Sequence, residues 1–186
     1  YSDTMEEKQG FVDDPIIGGT THNAHDSMTP ADDLPSASGE IVVPFDLSHI
    51  GHWLKGAMGA ATPSGSGDIT HPFISGVIVL PHRTIEKQIT NSTLFYQYTG
   101  GGVKTLDFDI NRVGGDARVK VGCLFRKENK LTSTAAGTPA SIVAREPVLN
   151  WLGVLKIGGT LVADVMSLQA QFDNKLAPDE SLGDAN

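Results

Sequence analysis

Residues Thr84–Phe125, TIEKQITNSTLFYQYTGGGVKTLDFDINRVGGDARVKVGCLF, decide the fold. Ile85, Lys87 and Ile89 alternate with polar residues, and Leu94, Tyr96 and Tyr98 mark a second run. Leu106, Phe108 and Ile110 mark a third, after Val103, and Val119, Val121 and Cys123 a fourth. A period of two puts one set of side chains on each face of a sheet, one face dry and one wet. Between the runs stand turn residues: Asn91-Ser92, Gly100-Gly101-Gly102 and Gly114-Gly115-Asp116. Four runs joined this tightly predict an antiparallel meander. No catalytic motif lies within it.

Working back from Thr84, Pro72–Leu80 reads as a strand and residues 61–71 as a loop. The segment DLSHIGHWLKGAMGA before that loop is the one convincing helix. Leu47, Ile50, Trp53 or Leu54, Ala57 and Met58 fall on one face, Asp46 or Ser48 is placed to cap its start, and Gly59 marks its stop. Such a stripe needs cover, from the subunit's own core or from a neighbouring subunit. Glu40–Phe45 reads as a strand, with Pro44 at an edge or an end. Residues 1–39 are broken by Gly18-Gly19, Pro30 and Pro35 and read as an acidic flexible arm or long loop, with a short extended piece near Phe11-Val12.

Forward from Phe125 the chain turns polar over Arg126–Lys130 and enters a loop, LTSTAAGTPAS. Strands are predicted over Leu152–Ile157, Thr160–Val165 and Ser167–Phe172, the first two joined at Gly158-Gly159 as a hairpin. Residues 177–186 read as a loop or truncated end. The predicted division is therefore an arm over 1–39, a β domain over 40–176 and an end piece over 177–186.

At 186 residues with 39% hydrophobic content, the chain fits one β-rich domain. No apolar run approaches the roughly 20 residues that span a bilayer, so no membrane partner is expected. Cys123 is the only cysteine, which excludes an internal disulfide, and its place on an apolar strand face predicts a small buried hydrophobe. Nine of the 22 acids but one of the 14 bases lie in residues 1–40, so the whole excess of −8 is N-terminal and the remainder is neutral. No basic patch is present to hold nucleic acid through its phosphates.

The histidine pairs His22/His25 and His49/His52 invite a metal reading, but no third ligand stands at a telling spacing, and no metal or cofactor is expected. Gly65-Ser66-Gly67 lacks a strand–turn–helix setting, and Gly100–Gly102 lies between two strands with no Gly-Lys-Ser or Gly-Lys-Thr after it, so it is not read as a phosphate cradle. No catalytic residue is assigned. Glu86, Asp107 and Asp109 occupy wet-face strand positions, where solvated acids are common.

The order of these pieces carries a resemblance: the helix ending LKGAMGA, the loop to THPF, TIEKQITNSTLFYQYTG, VKTLDFDI and GGDARVKVGCLFRKE. Over about residues 40–176 the chain resembles the tail tube proteins of long-tailed bacteriophages. Thr84-Ile85-Glu86-Lys87, Tyr98-Thr99-Gly100 and Val103 are the most specific, and Gly158-Gly159-Thr160 through Asp173-Asn174-Lys175-Leu176 is similar to the family's close. The resemblance implies a mainly β fold with one helix, a two-sheet antiparallel β-sandwich or rolled barrel. It implies homohexameric rings that stack into a tube, a conduit for DNA that passes without specific binding, and tape-measure and tail terminator proteins as partners. The place implied is the virion tail, with host cytoplasm during assembly. Glu86, Asp107 and Asp109 become candidate lumen or ring contacts, and the arm and the loop 126–141 candidate stacking contacts. Because family members carry further terminal segments, the start at Tyr1 is expected to lack some of them. A second expectation is a β-sandwich binding module, such as a tail decoration or carbohydrate-binding domain, with Tyr96 and Tyr98 as an exposed aromatic platform and Trp53 and Trp151 elsewhere.

Overall fold

The structure is a computed structural model that describes residues 2–13, 30–90, 92–111, 115–138, 144–149, 154–162 and 165–178. Among these residues it is mainly β with one helix, as expected, but the meander is built differently. The second and third runs are one strand, β6 (Phe95–Asn111), of 17 residues. Its first half pairs with β5 (Arg83–Gln88) on one side and β8 (Lys127–Leu131) on the other. Its second half pairs with β7 (Arg118–Phe125) and β11 (Ser167–Asp173). All four ladders are antiparallel.

Gly100–Gly102 is therefore not a turn but the point where β6 changes partners. Gly100 has φ +69°, and a Cβ on Gly101 would stand 1.9 Å from the Leu124 carbonyl oxygen and 2.5 Å from Phe125 Cα. Only a bare backbone fits there. Register shifts between Arg83 and Ile85, and between Val103 and Thr105, flank the crossing. Bulges of this kind bend a strand and raise its twist.

Beyond β7 lie β4 (Ser36–Pro44) and β1 (Glu6–Lys8), giving the order β1-β4-β7-β6-β11. Residues read as an arm thus supply β1, the start of β4, and a small ladder of β2 (Phe11–Val12) with β3 (Ala31–Asp32). The first residues are tied down by backbone bonds, Thr4 N–H to Glu40 O and Val42 N–H to Ser2 O, each 3.0 Å. The Tyr98 hydroxyl and the Lys87 ammonium both donate to the Met5 carbonyl at 3.0 Å, and Met5 is buried. The sheet rolls until β1 reaches β8, where Glu128 N–H donates to Glu7 Oε2 at 3.2 Å. The result is a nearly closed barrel.

Its interior follows the predicted alternation. Val119, Val121, Cys123 and Phe125 are buried, with Val103, Leu106 and Tyr98 from β6 and Ala37 from β4. Helix α1 (Ile50–Met58) buries Ile50 and Ala57 in this core, with Trp53, Leu54 and Met58 packed against it, so its stripe is covered within the subunit. Leu47 precedes the helix and is 62% exposed, so it is not part of that stripe. Gly59 ends the helix at φ +86° as expected. The Asn174 side chain, just past β11, donates to Ala57 O at 2.8 Å and Val103 O at 3.0 Å. One amide thereby satisfies a C-terminal helix carbonyl and clamps α1 to β6.

The helix start differs from expectation. His49 is its N-cap and makes no side-chain capping bond. Asp46 instead sits buried at the head of the preceding turn, accepting from Ser48 N–H at 2.9 Å, Glu146 N–H at 3.2 Å and Arg145 Nε at 3.3 Å. Burial pushes the Asp46 carboxyl up, but these backbone donors and His49 outweigh it and hold it below the usual range.

Three further expectations change. Pro72–Leu80 forms no strand, and Ile78 within it is 97% exposed. The polar run after Phe125, read as part of the loop 126–141, holds the strand β8. Of the predicted closing hairpin, the described residues form β9 (Lys156–Ile157) with β10 (Thr160–Leu161), and Leu152, Gly153, Ala163 and Asp164 lie outside the described residues.

The crossing gives a direct test in urea unfolding. Gly101→Ala drives a Cβ into main-chain atoms that cannot rotate away, so it destabilises by about 2–4 kcal/mol. Gly51→Ala meets nothing within 4 Å in α1. It is neutral or stabilises, by up to about 1 kcal/mol. Equal midpoints for the two variants would contradict the crossing geometry.

Candidate assembly surfaces

The register sorts the side chains of the four-stranded region β4-β7-β6-β11 into two faces. The dry face carries rows such as Ile41, Val121, Leu106 and Phe172. The opposite face carries Glu40, Gly122, Thr105 and Asp173 in one row, then Val42, Lys120, Asp107 and Gln171, then Pro44, Arg118, Asp109 and Gln169. Asp107 and Asp109 thus share this polar face, each across from a cation on β7 and a glutamine on β11. Opposite charges so placed stabilise the strand pair modestly. In these rows four carboxylates stand against Lys120 and Arg118, and Lys175 and Lys104 lie beside Asp173, so the surface carries no excess of positive charge. Asp173 is held below the usual carboxyl range by Lys175, first through its side-chain bond and then its backbone N–H.

Glu86 is not grouped with the other two. It lies on β5 and accepts from the Thr134 hydroxyl at 2.6 Å and the Ala135 N–H at 2.8 Å. These bonds, that from Thr134 foremost, hold its carboxyl below the usual value. Glu86 is a tether for the loop after β8, inside the stretch predicted for stacking contacts.

At the end of this sheet, β11 pairs with β6 and, among the described residues, has no strand on its other side. Seven residues of strand edge, Ser167–Asp173, are open. An open edge of this length is a template for another strand. Single-chain alternation predicts the strand but not that it is an edge.

The aromatic platform does not form. Tyr98 is 1% exposed, with burial and Glu128 pushing its hydroxyl's pKa up, and Tyr96 is half-buried. Trp53 packs against the core, and Trp151 lies outside the described residues. Cys123 is buried, which pushes its thiol up to about 12, so it is held as an unreactive neutral thiol. His49 Nδ1 stands 3.3 Å from Asp46 Oδ1. Among the described residues no three His, Cys, Asp or Glu side chains gather as a metal site, and His22 and His25 fall outside them.

The Glu86 tether predicts a pH effect. Its folded pKa lies below the ordinary 4.5, so its stabilisation is complete above that value and is lost as pH falls through the folded value. The Ala135 amide proton should therefore titrate in NMR with a midpoint below 4.5 and stop titrating in Glu86→Ala. A midpoint above 4.5 would contradict the tether.

No curated protein matches the sequence at a significant level. The family described as phage tail tube protein matches residues 5–186. A rolled β wall, one helix docked on it, an open strand edge and a match over nearly the whole length agree: the chain belongs to the phage tail tube protein family, and is a structural protein of the virion tail.

Proposed function

We propose that six copies close into a ring, and that rings stack into a tube through which DNA leaves the particle for the host. The open edge of β11 carries this reading. It ends a sheet with one polar and one dry face, so pairing it with a neighbouring copy continues the wall from subunit to subunit. Repeated around an axis, such a heterologous contact closes a ring. The polar face with Glu40, Asp107, Asp109 and Asp173 then lines the lumen. A passing polyanion finds there no net positive charge to retain it, and each avoided phosphate contact removes affinity that would slow transit.

The protein does no chemistry in this role. Its partners are other copies of itself, with a tape-measure protein that sets the tube's length and a terminator that caps it. Assembly takes place in the host cytoplasm. The loop tethered by Glu86 contributes to contacts between rings.

Electron microscopy of the purified intact chain, alone and with tape-measure and terminator proteins, tests the proposal. The expected particles are sixfold rings and stacked tubes with an open channel. Monomers or globular dimers under every condition would contradict it.

A further inference from the structure

The connection after β8 lies against the barrel in two described pieces, residues 132–138 and 144–149. Neither piece has a buried residue, and neither gives a side chain to the apolar core or to the layer packed on it. Their hold is polar, and it converges on two carboxylates. Glu86 of β5 holds the first piece through the Thr134 hydroxyl at 2.6 Å and the Ala135 N–H at 2.8 Å. Asp46, 1% exposed, holds the second through Glu146 N–H at 3.2 Å and Arg145 Nε at 3.3 Å.

The second piece is a wedge. The ladder between β4 and β7 ends at Pro44 and Arg118. Just beyond it, Phe45, Ala117 and Val148 close a ring of three backbone bonds. Phe45 N–H donates to Ala117 O at 2.8 Å, Ala117 N–H to Val148 O at 3.0 Å, and Val148 N–H to Phe45 O at 3.0 Å. Backbone bonds can be exchanged for bonds to water at modest net cost, so the bonds to charged oxygens decide whether the piece stays.

The ionisable groups around Asp46 are His49 at the start of α1, Arg145 and Glu146 on the wedge, and Asp116 before β7, which Arg145 also reaches at 3.0 Å. Oδ1 of Asp46 faces Ser48 N–H, Glu146 N–H and His49 Nδ1, and Oδ2 faces Arg145 Nε. Donors stand at both oxygens, so a proton on either one displaces a donor. Across from Glu86 stand Gln97 on β6 and then Asn129 on β8, both uncharged, with Lys127 next on that face of β8. Residues 132–138 carry no charge. We propose that the two pieces form an acid-released strap: neutralising Asp46 and Glu86 frees it from the barrel, while the sheet β4-β7-β6-β11 stays folded on its apolar interior. Burial raises the Asp46 carboxyl, but the N–H groups of Glu146 and Ser48 and the His49 side chain outweigh it and hold it below 3.8. The Thr134 hydroxyl, then the Ala135 N–H, hold Glu86 below 4.5. Each hold is therefore complete above its ordinary value and is lost as pH falls through the lower folded value. The release concerns one subunit and holds whether or not rings form.

Amide hydrogen exchange by NMR tests the strap on the full chain, titrated from about pH 6 to about pH 2 and corrected for the intrinsic rate at each pH. The expected result is that Ala135, Glu146 and Val148 lose at least about tenfold in protection while the amides of β7 keep theirs. At about pH 6, Glu86→Ala frees Ala135 alone, and Asp46→Asn frees Glu146 and Val148 with β7 still protected. Strap and β7 amides that lose protection together, or strap amides protected throughout the range, would overturn the proposal. So would an Asp46→Asn chain that fails to fold, because the barrel is then not independent of the strap.

Discussion

The close passage of Gly101 under the Leu124 carbonyl is the constraint on which the rest of the structure depends. Because the backbone carries no side chain there, β6 runs 17 residues without stopping and serves four partners. β5 and β8 take its first half, β7 and β11 its second. A true turn at the same place would cut this frame into two separate hairpins. The helix rests on the same crossing: Gly56 of α1 lies so near Val103 that a Cβ would stand 2.8 Å from its Cγ2. Asn174 fastens both to the end of β11.

Around this frame, distant parts of the chain close the barrel. Tyr98, Lys87 and Met5 join β6, β5 and the N-terminal segment through one carbonyl oxygen. Asp46 gathers donors from Ser48 and from Arg145 and Glu146, about a hundred residues on, and Arg145 also reaches Asp116 Oδ2 at 3.0 Å. Buried polar groups with this many partners hold one arrangement against others, since each lost partner leaves an unsatisfied group. The wall is thus fixed within the subunit, while the edge of β11 stays open for a neighbour.

Much of this was legible in sequence where one physical demand acted alone. On β7, alternate positions from Val119 to Phe125 are buried because one face of that strand meets the core. The helix stripe and the Gly59 stop were readable for the same reason. Glycine was ambiguous: Gly100–Gly102 has the composition of a turn, and only the proximity of Leu124 and Phe125 makes it a crossing. The apolar run Pro72–Leu80 read as a strand, yet it has no strand partner among the described residues and turns Ile78 outward. β8, with Lys127, Glu128, Asn129 and Lys130, hid behind its polarity because neither of its faces is fully buried. Of the three marked acids, Asp107 and Asp109 fall on one face through period-two spacing. Glu86 is drawn to Thr134 and Ala135, a pairing that spacing cannot encode. The Asn174 clamp likewise has no local signature.

The account's central claim is that the subunit brings a finished wall and an unfinished edge to assembly. Amide hydrogen exchange of the free and the assembled chain measures this directly. The account predicts slow exchange for β6 and β7 in both states, and outward-facing amides of Ser167–Asp173 that exchange fast in the free chain and at least about a hundredfold more slowly once assembled. Unchanged exchange along β11 between the two states would contradict it.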